Sequence, residues 1–445
     1  MMQFTLQEEL GRGGFAKVNK VVATDGSFYA LKLFDPLSEL VRQVGNDHLK
    51  RRFIREVKAQ QSISHPQVVN IIEARLDLSP PYFLMELGCA TLKEDIDSGY
   101  VEGIGRQKVL FDILAGLEII HAKGHVHRDL KPANVLRFGW GDQATYKISD
   151  FGLISHGESD STALTGTGAQ GGTEMYSPPE CMADFKRATC TSDIYSFGAI
   201  LHDIYAPRTR RIPYTELSVE GAIGDIISKC TKRQPRRRYR DVAALREDLI
   251  RVIDSASPVS KNDEEEKFVD LLEQNVDLSE DQWDEVFDYL DVAVENGNTP
   301  SALFHAFKID HIRALNMHSP DLFASLVIDF CNFIKKTDFS FEYCDVLADK
   351  LKVFFELGDL NVKSEAAVAA LELGVTHNRW YVEEVFTQFV NKGCSEALIE
   401  KIILQVEDEK IDFRRRVYRL SESIRYDLEN LHPDLLAYYR SEAGE

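Results

Sequence analysis

His127-Arg128-Asp129-Leu130-Lys131-Pro132-Ala133-Asn134, with Asp150-Phe151-Gly152 downstream of it, is the stretch on which the reading of this chain turns. Upstream, residues 10–18 read LGRGGFAKV. Gly11 and Gly13 flank a turn between two alternating segments, and with no Cβ in the way their backbone amides can approach phosphate oxygens. A glycine-rich hairpin alone is usually only a turn. Tyr29-Ala30-Leu31-Lys32 then puts a lysine on the next strand, and Glu56 lies in a helical segment, RFIREVKAQ, from which it can pair with Lys32. A lone strand lysine is ordinarily solvated, so the weight rests on all these features occurring in one order.

That order resembles the protein kinase family, with its H-R-D-L-x-x-x-N loop and D-F-G motif, over residues 4–254. The resemblance implies ATP and a divalent cation, Mg2+ or Mn2+. Lys32 would hold the α- and β-phosphates and Glu56 would hold Lys32. Asn134 and Asp150, oxygen donors suited to a hard cation, would take the metal. Asp129 would orient or accept the proton of the substrate hydroxyl. Lys131, two residues on, resembles the Ser/Thr-specific subclass, where it meets the γ-phosphate. Gly11, Gly13 and Val18 would lie along the nucleotide. Met85 matches the back of the adenine pocket, and Glu86, Leu87 and Gly88 match the hinge that offers its backbone to the adenine edge. Gly172 to Glu180 resembles the end of an activation segment, with Thr173 near the catalytic aspartate and Pro178 where alanine is usual. Asp193 and Arg238 match structural braces, Arg238 pairing with Glu180 and Asp193 supporting the catalytic loop. Two departures stand out. Ala16 replaces the third glycine, which predicts a stiffer loop, and 24 residues separate Lys32 from Glu56, which is long. Glu39 is the other acidic candidate in that helical stretch and lies too early.

Outward from the motifs, the pattern is strand-rich to about residue 87 and helical from about 92, so the fold class is α+β: a bilobal kinase fold with a smaller lobe at 1–87 and a larger one at 88–254. Residues 39–62 read as one helix. DSASPVSKNDEEE, 254–266, reads as a linker, which sets the domains at 1–258 and 259–445. The second is all-α and solenoid-like, a stack of helix pairs without a crisp repeat signature. Its helix starts are marked by Ser279 with Gln282, by Thr299-Pro300 and by Ser319-Pro320. Gly358, Gly374 and Gly393 are placed as C-terminal caps.

The 445 residues carry a formal charge of −20, unevenly. Residues 1–260 hold 33 Lys+Arg against 33 Asp+Glu, and 261–445 hold 19 against 39. The acidic half disfavours nucleic acid and anionic lipid. The basic run RQPRRRYR, 233–240, reads as solvated or intramolecular because it contains the structural Arg238. Arg414-Arg415-Arg416 reads as a helix face meeting acidic neighbours. Seven scattered cysteines without a C-x-x-C pair argue against a disulfide framework or zinc. The N-terminus lacks the basic and apolar segments of a signal peptide, and no apolar run is long enough for a membrane span, so the expected location is the cytoplasm.

The functional expectation is a Ser/Thr protein kinase whose partners are a protein substrate and, through 263–445, a regulatory protein, with no direct nucleic acid or membrane contact. Autophosphorylation is expected at Thr162, Thr165 or Thr167, clamped by Arg128. A bacterial stress, toxin or anti-phage role would suit a stand-alone kinase with an appended module. The alternative is a pseudokinase scaffold in which the helical part does the work. The presence of Lys32, Asp129, Asn134 and Asp150 argues against it.

Overall fold

Alternating apolar and polar residues from Phe4 onward form a five-stranded antiparallel sheet. Its strands are β1 (Phe4–Arg12), β2 (Ala16–Ala23), β3 (Phe28–Phe34), β4 (Ile71–Arg75) and β5 (Tyr82–Glu86), in the order β1-β2-β3-β5-β4. The computed structural model describes residues 2–151, 173–182, 187–206, 210–253, 260–377, 379–424 and 426–441. The chain divides into two compact units, Met1–Ile253 and Asp254–Glu445.

Two helices lie between β3 and β4, α1 (Ser38–Val44) and α2 (Asn46–Gln61). The sequence reading expected one helix over 39–62. Gly45 breaks it with a φ of 86° and a ψ of 140°, outside helical values. The stretch that lengthens the spacing between Lys32 and Glu56 is therefore a helix of its own. From α2, Leu49, Phe53 and Val57 pack at helical spacing on the sheet residues Ala30, Phe34, Phe83 and Met85. Glu56 lies on the same buried face and carries a carboxylate into an otherwise apolar interface.

The remainder of the first unit is mostly helical: α3 (Leu92–Asp97), α4 (Tyr100–Ile104), α5 (Arg106–Ala122), α6 (Cys190–Tyr205), α7 (Ala222–Cys230) and α8 (Val242–Ile253). A small sheet of β6 (Ala90–Thr91), β7 (Val135–Phe138) and β8 (Thr145–Ile148) carries the motif loops. Thr91 and Glu94 form a reciprocal capping box at the start of α3. α5 is apolar on nearly all sides and runs through the lobe's interior against β8. Gly116 permits this approach, because a Cβ there would stand 2.8 Å from the Gln67 carbonyl oxygen.

The second unit contains α9 (Asp263–Gln274), α10 (Glu280–Glu295), α11 (Ser301–Ala306), α12 (Ile309–His318), α13 (Pro320–Lys336), α14 (Tyr343–Leu357), α15 (Leu360–His377), α16 (Trp380–Phe389), α17 (Glu396–Asp408), α18 (Phe413–Ser423) and α19 (Pro433–Ser441). Ser279 and Gln282 form a capping box on α10, and Ser319 caps α13 with Pro320 in its first turn. Gly358 caps α14. Three expected signals differ, one of them Gly393, which lies beyond α16 because that helix ends with Val390 as its C-cap. α11 starts at Ser301 after Pro300 without a side-chain cap. Gly374 lies inside α15 and not at its end, because α16 crosses so closely that a Cβ there would stand 3.0 Å from the backbone nitrogen of Glu383. The alanine-rich α15 is buried on most sides and contacts α13, α14, α16, α17 and α18. Among the described residues no helix is long and apolar enough to cross a membrane.

Candidate active site

The loop at 127–134 is held from behind by one buried carboxylate. Asp193, near the start of α6, accepts the backbone amides of His127 and Arg128 at 2.8 Å each and meets His121 Nε2 at 2.8 Å. His127 is fully buried, sits 3.0 Å from the Ser149 carbonyl oxygen through Nε2, and stacks edge-on with Phe151 at 5.4 Å. Arg128 and Asp150 both occupy the left-handed region, at φ 69° and 62°. For non-glycine residues this costs of order 1–3 kcal/mol and persists only where surrounding contacts determine it.

On β3, Lys32 is the meeting point of two acids. Its Nζ donates to Glu56 Oε1 at 2.5 Å and to Asp150 Oδ1 at 3.0 Å. Burial alone would push the Lys32 ammonium down, but the carboxylates of Asp150 and Glu56 outweigh it and raise it. Burial dominates at Glu56 and lifts it to about 7, despite the nearby lysine. Asp150, whose carboxylate is 43% exposed, falls well below the ordinary carboxylate range because Lys32 outweighs desolvation. Arg52, one turn before Glu56 on α2, adds a nearby positive charge and lies over the Phe15 ring at 5.4 Å.

Asp129 accepts Lys131 Nζ at 2.8 Å and Asn134 Nδ2 at 3.0 Å, both on Oδ2. Asn134 Nδ2 also donates to the Asp129 carbonyl at 2.8 Å. Asp129 Oδ1 is buried and has no hydrogen-bond partner among the described residues. Burial raises the Asp129 carboxyl, only partly offset by Lys131. An oriented, unengaged and desolvated carboxylate oxygen is what proton acceptance from a hydroxyl requires. The donor set also fits a hard divalent cation. The Asn134 amide nitrogen is turned onto Asp129, which leaves its oxygen for a metal, and the ionised carboxylate of Asp150 is partly open to solvent.

Across the cleft, Gly11 pairs with Val18, which in turn pairs with Lys32, so the glycine-rich turn, Val18 and the lysine lie side by side. Among the described residues a Cβ at Gly11 would meet nothing within 4 Å, and one at Gly13 only the Ala16 carbonyl at 3.7 Å, which leaves the turn room for a bulky anion. Ala16 is 4% exposed and belongs to the core under the sheet. Met85 packs in the same core, with Val18, Leu87 and Leu136 at its margin. The Glu86 side chain is engaged elsewhere, accepting Lys147 Nζ at 2.8 and 2.9 Å and the Asn70 amide at 2.9 Å, so only its backbone faces any nucleotide chemistry. Gly88 is required by a close approach, 3.0 Å from its would-be Cβ to Leu136 Cβ.

The tip of the turn is clamped. Leu37 donates its amide to the Gly14 carbonyl (2.9 Å), Asp35 donates its own to Phe15 (3.1 Å), and Arg12 pairs with Asp35 at 2.6 Å. Sequence reasoning missed this brace, together with the packing of Ala30 and Leu136 around Met85. Ala30 was legible, since it lies two residues from Lys32 and so on the same face of β3. Arg238 meets Glu180 in a two-pronged pair, 2.7 Å on each arm. Gly152, Gly172, Thr162, Thr165 and Thr167 fall outside the described residues, as does the Thr173 side chain.

Comparisons agree with this geometry. Residues 4–274 match the protein kinase domain family. The probable serine/threonine-protein kinase PknB of Lactococcus lactis is 29% identical over 272 residues, 56% of this chain and 41% of that protein. PknB of Mycobacterium leprae is 31% identical over 232 residues, 46% and 36% of the two chains. The CBL-interacting serine/threonine-protein kinase 8 of Arabidopsis thaliana is 30% identical over 220 residues, 49% and 46%. The chain spans less than half the length of each of these relatives. The family match takes in more than half of the chain, which belongs to the protein kinase family.

Proposed function

We propose that the chain is a serine/threonine protein kinase that transfers the γ-phosphate of ATP to protein hydroxyls. The observation that carries this is the line Glu56–Lys32–Asp150, which ties a buried helix carboxylate, a strand lysine and a metal-type carboxylate into one cleft. Lys32 and the amides around Gly11 and Gly13 hold the phosphates. Val18, Met85, Leu87 and the Glu86–Gly88 backbone hold the adenine. Asn134 and Asp150 would hold Mg2+ or Mn2+, which when bound neutralises charge on the phosphates. Asp129 Oδ1 takes the proton of the acceptor hydroxyl, and Lys131 steadies that carboxylate beside the transferring group.

In this reading residues 1–258 form the kinase domain, with lobes at 1–87 and 88–254, and 259–445 form an acidic regulatory or recruiting module, working in the cytoplasm. Stress, toxin or anti-phage signalling is the setting that would suit such a pairing. Autophosphorylation at Thr162, Thr165 or Thr167 would be read by mass spectrometry of the active protein. The test is phosphate transfer by purified protein to itself and to a generic protein substrate, wild type beside Asp129→Asn. No transfer by the wild type with either metal would return the scaffold alternative. Truncation near residue 258 tests the module: equal activity, stability and cellular effect would remove its regulatory role.

A further inference from the structure

Residues 261–445 hold 19 Lys+Arg against 39 Asp+Glu, so a cation there is surrounded by possible acidic partners. Lys410 and Arg415 nonetheless stand without one: neither side chain has an ion-pair or hydrogen-bond partner among the described residues. Both are exposed, and both line one cleft of about 440 Å³ formed by α15, the turn after α17, and α18. Arg416 and Arg419 line it as well.

Each acid of the cleft has one oxygen engaged. Glu409 Oε1 accepts Lys335 at 2.6 Å and Gln405 at 2.9 Å. Asp412 Oδ1 caps α18 by accepting the Arg415 amide at 3.0 Å. Glu372 Oε2 accepts Arg416 at 2.8 Å. Its other oxygen, Oε1, is buried with no hydrogen-bond partner among the described residues, and burial raises this carboxyl. The cleft therefore presents two cations that no carboxylate pairs with among the described residues. Lys410 adds a third observation. It sits at φ 57° in the turn that closes α17, where Ile411 donates its amide to the Val406 carbonyl at 3.0 Å. Glycine is the residue that adopts this conformation without strain, yet the position carries a long cation.

We propose that this cleft binds a phosphomonoester. Lys410 and Arg415 take the phosphate through charge-assisted hydrogen bonds. Two sources share that chemistry, a phosphorylated residue of a protein and a free phosphate compound. The first would let the second unit hold what the proposed kinase activity makes.

The test uses the full-length protein and a synthetic fluorescent phosphothreonine peptide, with its unphosphorylated twin and inorganic phosphate as further probes. Fluorescence anisotropy at low ionic strength should show the phosphopeptide binding at least about tenfold more tightly than the twin, with Lys410→Gly plus Arg415→Ala removing that preference. Lys410→Gly alone should melt no lower than wild type, since it relieves the backbone, while still weakening binding. If inorganic phosphate competes as strongly as the phosphopeptide, the ligand is a free phosphate compound; if it competes only weakly, it is protein-borne. Equal binding of the two peptides with no competition by phosphate would overturn the proposal, as would a phosphate preference that survives the double substitution. The peptide is made chemically, so a failure of the kinase reading would leave this result standing, and the reverse.

Discussion

Leu40 Cδ1 lies 2.8 Å from where a Cβ on Gly14 would stand. The tip of the glycine-rich turn thus rests on a side chain of α1 that is itself 4% exposed. The two positions should be energetically coupled. Gly14→Ala alone should raise the KM for ATP several-fold, because the turn must lift off Leu40, and should be much milder in a Leu40→Ala background. Leu40→Ala alone should loosen the turn and weaken ATP, leaving the KM for the protein substrate unchanged. ATP kinetics across this double-mutant cycle check it, with contacting residues expected to couple by roughly 0.5–3 kcal/mol. Additive effects would mean that α1 does not position the turn.

Lys32→Ala removes the partner of a carboxylate that is 1% exposed. Glu56, already lifted to about 7 with the lysine present, should then take up a proton at neutral pH. Its folded pKa would lie further above the unfolded value, so the folded state binds the extra proton and stability falls as pH rises above about 4.3. The variant should lose activity and melt progressively lower between pH 6 and pH 8 relative to wild type. Lys32→Met combined with Glu56→Gln should restore the melting temperature and flatten its pH dependence without restoring transfer.

Asp129→Asn should lower turnover by about 10²–10⁴, the usual range for losing a positioned proton acceptor. It should change the melting temperature little, because relief of a buried carboxylate with one unmatched oxygen offsets the lost ion pair to Lys131. Phosphate transfer and thermal melting on one preparation test both halves.

His121 offers a pH signature behind the active site. Burial would lower this imidazole, but the hydrogen bond to Asp193, with a further contribution from Cys190, raises it to about 10. Because the folded value lies above the ordinary one of about 6.5, the pair's stabilisation is complete below pH 6.5 and drains away as pH rises through 10. Melting curves between pH 6.5 and 9.5 should fall for wild type and be flatter for His121→Gln. Parallel curves would show that His121 is not charged in the folded protein.

The site was legible because its chemistry depends on residue types at short spacings: Asp129, Lys131 and Asn134 sit within one loop, and the resemblance supplied Lys32 and Asp150. What was missed depends on distance along the chain. The His121–Asp193 contact spans 72 residues, and no local pattern announces it. The apolar spacing of Val41, Leu49, Phe53 and Val57 runs on through Gly45, which hid the break between α1 and α2. Gly374 looked like a cap for the same reason in reverse, since what demands a glycine there is Glu383 on the next helix.

In the proposed site Met85 would line the back of the adenine pocket with an unbranched thioether, and it is 8% exposed and packed beside Ala30 and Phe83. That makes it a keyhole as well as a wall. Met85→Ala would cost roughly 2–5 kcal/mol as a core truncation, and would open a space that no natural nucleotide fills. An ATP carrying a bulky group on its adenine amine should then be refused by the wild type and used by the variant. In a cell extract, a label delivered by that analogue would mark only proteins phosphorylated by this chain, so one side chain of the hydrophobic core offers a direct route to its targets.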